Sequence, residues 1–509
     1  MLAKIFTGTV YGVDGLLIEV ETDISPGLPV FATVGLAEGA VREARDRVKS
    51  AIRNSGYSFP NRRITVNLAP ADLKKGGTGY DLPIALSILL ASETITSEIA
   101  TLYASIGELS LDGSVRRVNG VLPMVLAARK AGLKGVIVPV ENCAEAAAVE
   151  GISVIGIATL YEAAEFLAGL RTINPSQQTG LEENHYPKHE PDFSEVRGQE
   201  HVKRALEIAA AGNHNVLMQG PPGSGKTMLA RRLPSILPEL TFEEALETSR
   251  IYSVMGLLPA GGRLMRHRPF RAPHHTISDA GLIGGGQIPK PGEVTLSHNG
   301  ILFLDELPEF RKNVIEVLRQ PMEDSTVTIS RAATSMRFPA AFLMVAAMNP
   351  CPCGYLGDPG HQCTCTLPQI QRYSSQISGP LLDRIDIHVE VPAVPFKDIK
   401  ATAPAEQSSL IREKVCRARA IQERRFAGAA PGFTNSRMEP RDLDKHCRLD
   451  DACQSLLEKA AHRLSLSARA CHRVIKISRT IADLAGEENI GSQHIAEAIQ
   501  YRRSSPRIC

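Results

Sequence analysis

The stretch Gly220-Pro221-Pro222-Gly223-Ser224-Gly225-Lys226-Thr227 constrains this chain more than any other, because it satisfies the phosphate-loop pattern G-x-x-x-x-G-K-[ST] in the setting that pattern needs. Before it, Asn215-Val216-Leu217-Met218-Gln219 reads as a short buried strand; after it, Met228 to Leu233 reads as the first turns of a helix. A strand that hands over to a helix through a glycine-rich loop aims backbone N–H groups at phosphate oxygens. Lys226 can then reach the β and γ phosphates, and the Thr227 hydroxyl can hold Mg²⁺. The segment predicts a site for ATP with Mg²⁺, built on an α/β core.

A second element points from binding to hydrolysis. Ile301-Leu302-Phe303-Leu304-Asp305-Glu306 is an apolar run ending in two carboxylates, the pattern of a buried parallel strand. Asp305, at the carboxyl end, is expected to serve the Mg²⁺, and Glu306 to orient and polarise the attacking water. Taken without the phosphate loop, the same residues read equally well as a buried strand meeting an exposed acidic turn.

A chain of 509 residues exceeds one hydrophobic core and predicts about three units. Lys and Arg number 57 against 55 Asp and Glu, a formal net charge of +2, so binding to nucleic acid must rest on local patches. No apolar run reaches the ~18 residues of a membrane helix, and Met1-Leu2-Ala3-Lys4-Ile5 lacks the apolar region of a signal peptide. The expectation is a cytoplasmic protein without membrane contact. Its ten cysteines are then reduced, and a cluster among them reads as metal binding or packing before disulfides.

Along the chain, residues 1–170 alternate strands (Ile64-Thr65-Val66-Asn67-Leu68, Val136-Ile137-Val138) with helical stretches (Leu82 to Leu90, Leu122 to Lys130), a self-sufficient α/β domain. Residues 171–191 lose periodicity and read as a linker. Residues 192–391 carry the nucleotide motifs and further strands near Val216, Ile301 and Phe342 to Met348. Residues 392–509 keep a helical period without convincing strands, a helical lid.

The first domain, through Ile106-Gly107-Glu108-Leu109-Ser110-Leu111-Asp112-Gly113, Leu126 to Gly132 and Val136-Ile137-Val138-Pro139, resembles the proteolytic domain of Lon proteases, with its S5-like α/β fold. Lys75-Gly76-Gly77-Thr78-Gly79-Tyr80-Asp81-Leu82 resembles the segment in which that family carries its nucleophile. The resemblance puts Gly79 where the Ser belongs and Leu122 where the Lys belongs, and neither supplies a nucleophile or a base. It implies a Lon-like scaffold without the catalytic dyad.

The remainder resembles the magnesium chelatase-like branch of AAA+ ATPases. The arrangement as a whole is similar to the ComM/YifB type, on the two nucleotide motifs, Arg268-Pro269-Phe270-Arg271-Ala272-Pro273-His274-His275, Gly379-Pro380-Leu381-Leu382-Asp383-Arg384-Ile385-Asp386 and the Lon-like domain. The separation of the two nucleotide motifs fits the helix-2 insert of this branch. The resemblance implies a homo-oligomeric, hexameric ring that uses ATP to promote branch migration of DNA junctions in recombination or natural transformation. It implies that Asn349 is the sensor that positions the lytic water and Arg384 an arginine finger offered to a neighbouring subunit. Arg469 is then the lid sensor at the γ phosphate. Arg473, one turn on, competes for that last role, and a surface ion pair with Asp383 or Asp386 competes for Arg384.

Two features stay open. Cys351-Pro352-Cys353 and Cys363-Thr364-Cys365 form two C-x-C pairs that either converge on a structural Zn²⁺ or stay reduced; His361 offers a substitute ligand. The run from Gly262 to Ser278 holds Arg263, Arg266, Arg268 and Arg271 and no acidic residue. It reads as a DNA-facing channel insert or as a loop packed on a neighbour. A hairpin over Val327 to Arg331 and Ser335 to Phe338 adds Arg331 and Arg337 as candidate contacts to single-stranded or branched DNA. A magnesium chelatase-type metal-insertion ATPase is the alternative function. A protease fails on the missing Ser and Lys.

Overall fold

The computed structural model describes all residues except 37–38, 74, 177–190, 260, 262, 287–288, 332–333, 359, 395–405, 429–431 and 503–509, so most of the expected linker lies outside the described residues. Two compact units result, one of residues 1–184 with 245–265, the other of 185–244 with 266–509. Among the described residues no helix is long and apolar enough to cross a membrane.

The first unit is a seven-stranded sheet in the order Val30–Val34, Arg63–Ala69, Asp14–Ser25, Leu2–Tyr11, Tyr103–Ser105, Gly135–Pro139, Ser153–Ile157. The sheet is mixed: Leu2–Tyr11 pairs antiparallel with Asp14–Ser25, which pairs antiparallel with Arg63–Ala69, while the last three strands run parallel. The period-2 alternation of strand side chains feeds two cores. Ile5, Ile18 and Ile137 face the helices Asp81–Ala91 and Leu160–Leu167, whereas Phe6, Leu17, Val136 and Val138 face the helix Val121–Lys130. The hairpin turn lies so close to that helix that a Cβ on Gly15 would stand 1.9 Å from the Pro123 carbonyl oxygen, which only glycine permits.

Residues 245–265 count with this unit, although by sequence position they interrupt the ATPase core to which the sequence reading assigned all of 192–391. One link is Glu145, a buried carboxylate that accepts hydrogen bonds from the Leu122 backbone N–H, Asn142 and the Ser253 hydroxyl. A buried charge needs such donors, and Ser253 brings the insert with it. Arg250 pairs with Asp14, and Leu246 and Leu264 join the apolar cluster around Val121–Lys130.

The second unit holds a five-stranded parallel sheet in the order Phe270–Arg271, Ile301–Leu304, Leu343–Met348, Val216–Gln219, Ile387–Glu390. Its three central strands are buried nearly throughout, as strands covered on both faces must be. The helices Glu200–Gly212 and Lys226–Ile236 cover the sheet, and the lid helices Ser408–Arg425 and Ala468–Ala485 pack on Glu200–Gly212 in one continuous core. All described regular elements after residue 405 are helical, as the sequence predicts. The hairpin of Thr326–Arg331 and Thr334–Pro339 is present, with Thr328 opposite Arg337.

Candidate functional site

The phosphate loop joins the carboxyl end of Val216–Gln219 to the helix that begins at Lys226. Gly223 and Gly225 have φ of 75° and 90°, a backbone that side chains resist. Lys226 is buried, and its Nζ donates to the carbonyl oxygens of Gly220 (2.7 Å) and Pro221 (2.9 Å) and to Asn349 Oδ1 (3.1 Å). Burial lowers its ammonium pKa, against the opposing pull of Asp305 and Glu306. A cation held in this way lacks a full counter-charge, and triphosphate would supply it. The Thr227 hydroxyl donates to Asp305 Oδ2 at 2.6 Å. These two oxygens are a hard, oxygen-only pair suited to Mg²⁺.

Glu306 follows the strand in a left-handed conformation, φ 53°, with its side chain half exposed. Its carboxylate Oε2 lies 3.4 Å from His275 Nδ1, and the His275 ring packs against His274 and edge-on to Phe310. Sequence reasoning placed His275 in a basic run, read as a channel insert or as a loop packed on a neighbour, and missed this contact. No sequence signal gave it: His274-His275 follow an edge strand, Phe270–Arg271, and only its parallel pairing with Ile301–Leu304 brings them beside Glu306.

Arg384 and Arg469 are not brought to this loop. They line a cavity of about 640 Å³ together with Asn215, Asp386, Arg473 and Lys476. Asn215 precedes the strand whose far end carries the phosphate loop, so strand length alone, about 13 Å for four residues, separates the two places. Arg384 pairs with Glu323 at 2.7 Å, not with Asp383 or Asp386. Arg473 pairs with Asp386 at 2.8 Å. Burial would raise the Asp386 carboxyl, but Arg473 and His214 hold it well below the usual carboxylate range. Arg469 is exposed, so it is the cation of the two that remains presented to a ligand.

The basic run divides. Arg268, its side chain only 10% exposed, makes a two-toothed pair with Glu244, 2.8 and 3.2 Å, and donates to the carbonyls of Pro238 and Asn299. Arg271 pairs with both oxygens of Glu293 at 2.7 Å. These carboxylates remove Arg268 and Arg271 from the cations expected to meet DNA phosphates. Arg263 and Arg266 are half-buried, and Arg337 is exposed on the hairpin. The Arg331 side chain lies outside the described residues; its backbone pairs with Thr334.

Cys351, Cys353, Cys363 and Cys365 converge, with all four sulfurs within 4.8 Å of one another. His361 is instead exposed and stacked on Tyr355. In the first unit, Leu122 is buried among apolar side chains and the Thr78 hydroxyl is bonded to Glu108.

Family models for the magnesium chelatase subunit ChlI match residues 192–399 and 20–142, and one for its carboxyl-terminal part matches 405–502. The chain is 44% identical over 504 residues to the competence protein ComM of Haemophilus influenzae, covering 98% of this chain and 97% of that one. It is 42% identical over 502 residues to YifB of Escherichia coli, with 98% and 97% covered. A similarity to Lon protease 2 of Bacillus subtilis, 30% over 182 residues, spans 33% of this chain and 31% of the protease. With full-length relatives at this identity, and an ATP-type phosphate loop on a parallel sheet under a helical lid, the chain belongs to the ComM/YifB-type magnesium chelatase-like family of AAA+ ATPases.

Proposed function

We propose that this chain is an ATP-driven DNA motor that works as a hexameric ring and moves or remodels DNA junctions during recombination or natural transformation. The observation that carries the motor reading is the division of the nucleotide machinery. Lys226, Thr227, Asp305, Glu306 and Asn349 stand at the carboxyl ends of the strands, and Arg384 and Arg469 stand at the other end. One subunit thus carries two half-sites, and a ring of identical subunits is the closed arrangement in which each meets its complement. Lys226 and the loop N–H groups bind the triphosphate with its Mg²⁺, Glu306 and Asn349 orient water, and Arg384 with Arg469 neutralises charge on the neighbour's γ phosphate.

DNA as the track is supported by the competence role in the name of the Haemophilus relative and by the exposed Arg337 on its hairpin. A cytoplasmic setting follows from that substrate. A structural Zn²⁺ on the four thiolates belongs to the same reading, supported by their convergence. The chelatase models favour a second reading, an ATPase subunit that assists metal insertion.

The two readings part on DNA. With purified protein, ATP turnover is expected to rise on adding single-stranded or branched DNA, and a labelled three- or four-way junction is expected to be resolved in an ATP-dependent way. A formed ring with active ATPase that leaves the junction intact puts the metal-insertion reading first.

A further inference from the structure

The four cysteines lie beside the nucleotide site. Cys351 Sγ is 3.4 Å from Cys353 Sγ and 3.7 Å from Cys363 Sγ, and Cys353 and Cys363 sulfurs are 3.6 Å apart. A tetrahedron of thiolates about 2.3 Å from Zn²⁺ puts its sulfurs about 3.8 Å apart; these three sulfurs stand close to that spacing, and the Cys365 sulfur lies within 4.8 Å of them. The short C-x-C spacing is accommodated by a turn. Gly354 N–H donates to the Cys351 carbonyl at 3.0 Å with Gly354 at φ 87°, and this folds both sulfurs of the pair toward one centre. Backbone N–H groups also point at sulfur: that of Cys353 at Cys365 Sγ, 3.3 Å, and those of Tyr355 and Thr364 at Cys353.

The turn touches the phosphate loop. A Cβ on Gly354 would stand 2.5 Å from Pro222 Cδ, so Gly354 lies flat against the loop's proline. Two residues before Cys351, Asn349 accepts from Lys226 at 3.1 Å. A single knuckle therefore supports the loop from outside through Pro222 and Lys226 from within through Asn349. Cys363 and Cys365 approach from a later segment, and nothing covalent binds them to Cys351 and Cys353; all four are free cysteines.

We propose that Zn²⁺ held by Cys351, Cys353, Cys363 and Cys365 is the brace that keeps the phosphate loop in its ATP-binding shape, so that metal occupancy governs nucleotide affinity. The proposal rests on the zinc reading above and extends it: the ion acts through Gly354 and Asn349 on Pro222 and Lys226, and takes no part in the chemistry. Zinc loss releases the knuckle, and the loop loses two of its supports while the strands beneath it remain.

Full-length protein purified without added metal is expected to contain about one Zn²⁺ per chain by elemental analysis. Its affinity for a fluorescent ADP analogue, measured by equilibrium titration, is expected to fall about tenfold or more on stripping with a strong chelator, the scale of one lost hydrogen bond to a charge. Readdition of Zn²⁺ is expected to restore it. The paired change Cys351→Ser with Cys353→Ser is expected to lose both zinc and affinity. Gly354→Ala, which keeps all four thiols but strains this turn and sets a methyl group against Pro222, is expected to bind ADP more weakly. Protein free of zinc from the outset overturns the zinc reading and the brace with it. Zinc-loaded protein whose ADP affinity is unchanged by stripping and by Gly354→Ala overturns the brace alone.

Discussion

Glu306 follows the strand in a left-handed turn, with its half-exposed carboxylate beside His275. The role proposed for it, orienting the attacking water, makes a separable prediction. Glu306→Gln is expected to bind ATP as the unchanged protein does, while turnover falls by about two orders of magnitude or more, since only the proton acceptor is lost. Steady-state hydrolysis alongside a nucleotide-binding titration checks it, and near-normal turnover would remove Glu306 from the role. At this scale the identities of Lys226, Thr227, Asp305 and Glu306 were legible in the sequence because each has a fixed place within a short motif. Their mutual geometry was not: Lys226 and Asn349 meet across 123 positions, and His275 reaches Glu306 only because two parallel strands end side by side.

Among elements, the basic run and the hairpin make opposite predictions. Arg268 sits with Glu244 away from water, and removing one partner of such a pair leaves an uncompensated charge, at a cost of about 3–5 kcal/mol. Arg268→Ala is expected to lower the melting temperature markedly. Arg337→Ala, on the exposed side of the hairpin, is expected to change stability by less than about 0.5 kcal/mol and to reduce the salt slope of DNA binding by about one. Thermal melts and DNA titrations over a salt series separate the two; an unchanged salt slope for Arg337→Ala would take the hairpin off the DNA path. The run looked acid-free because a local reading sees only neighbours in sequence. Its counter-charges, Glu244 and Glu293, stand 24 and 22 residues away from Arg268 and Arg271.

For the molecule as a whole, the proposed division of the site between neighbouring subunits predicts complementation between damaged subunits. Subunits carrying Arg384→Ala keep an intact phosphate loop, and subunits carrying Lys226→Ala keep intact arginines. Mixed, they are expected to regain hydrolysis at interfaces where the good halves meet, with activity above the sum of the separate preparations. Arginine fingers supplied across such interfaces contribute about 10³ to 10⁵ in rate, so even a minority of restored interfaces is measurable. Activity that never exceeds the sum over a range of mixing ratios would mean that Arg384 acts within its own subunit or only through Glu323.

The sequence by itself determined the nucleotide loop, the acidic strand end, the helical character of the carboxyl-terminal part and the hairpin, because each is encoded by neighbours a few residues apart at a fixed period. The four-cysteine pairing was open in the sequence, since C-x-C spacing does not say whether two such pairs meet; a turn at Gly354 decided it. Which of Arg469 and Arg473 stays presented was decided by buried Asp386, which takes Arg473. The grouping of residues 245–265 with the first unit goes with tertiary contacts such as that of the Ser253 hydroxyl with buried Glu145. Asp386 and Arg473, Glu145 and Ser253, and the two cysteine pairs are each separated along the chain, and only the folded backbone brings them within reach of one another.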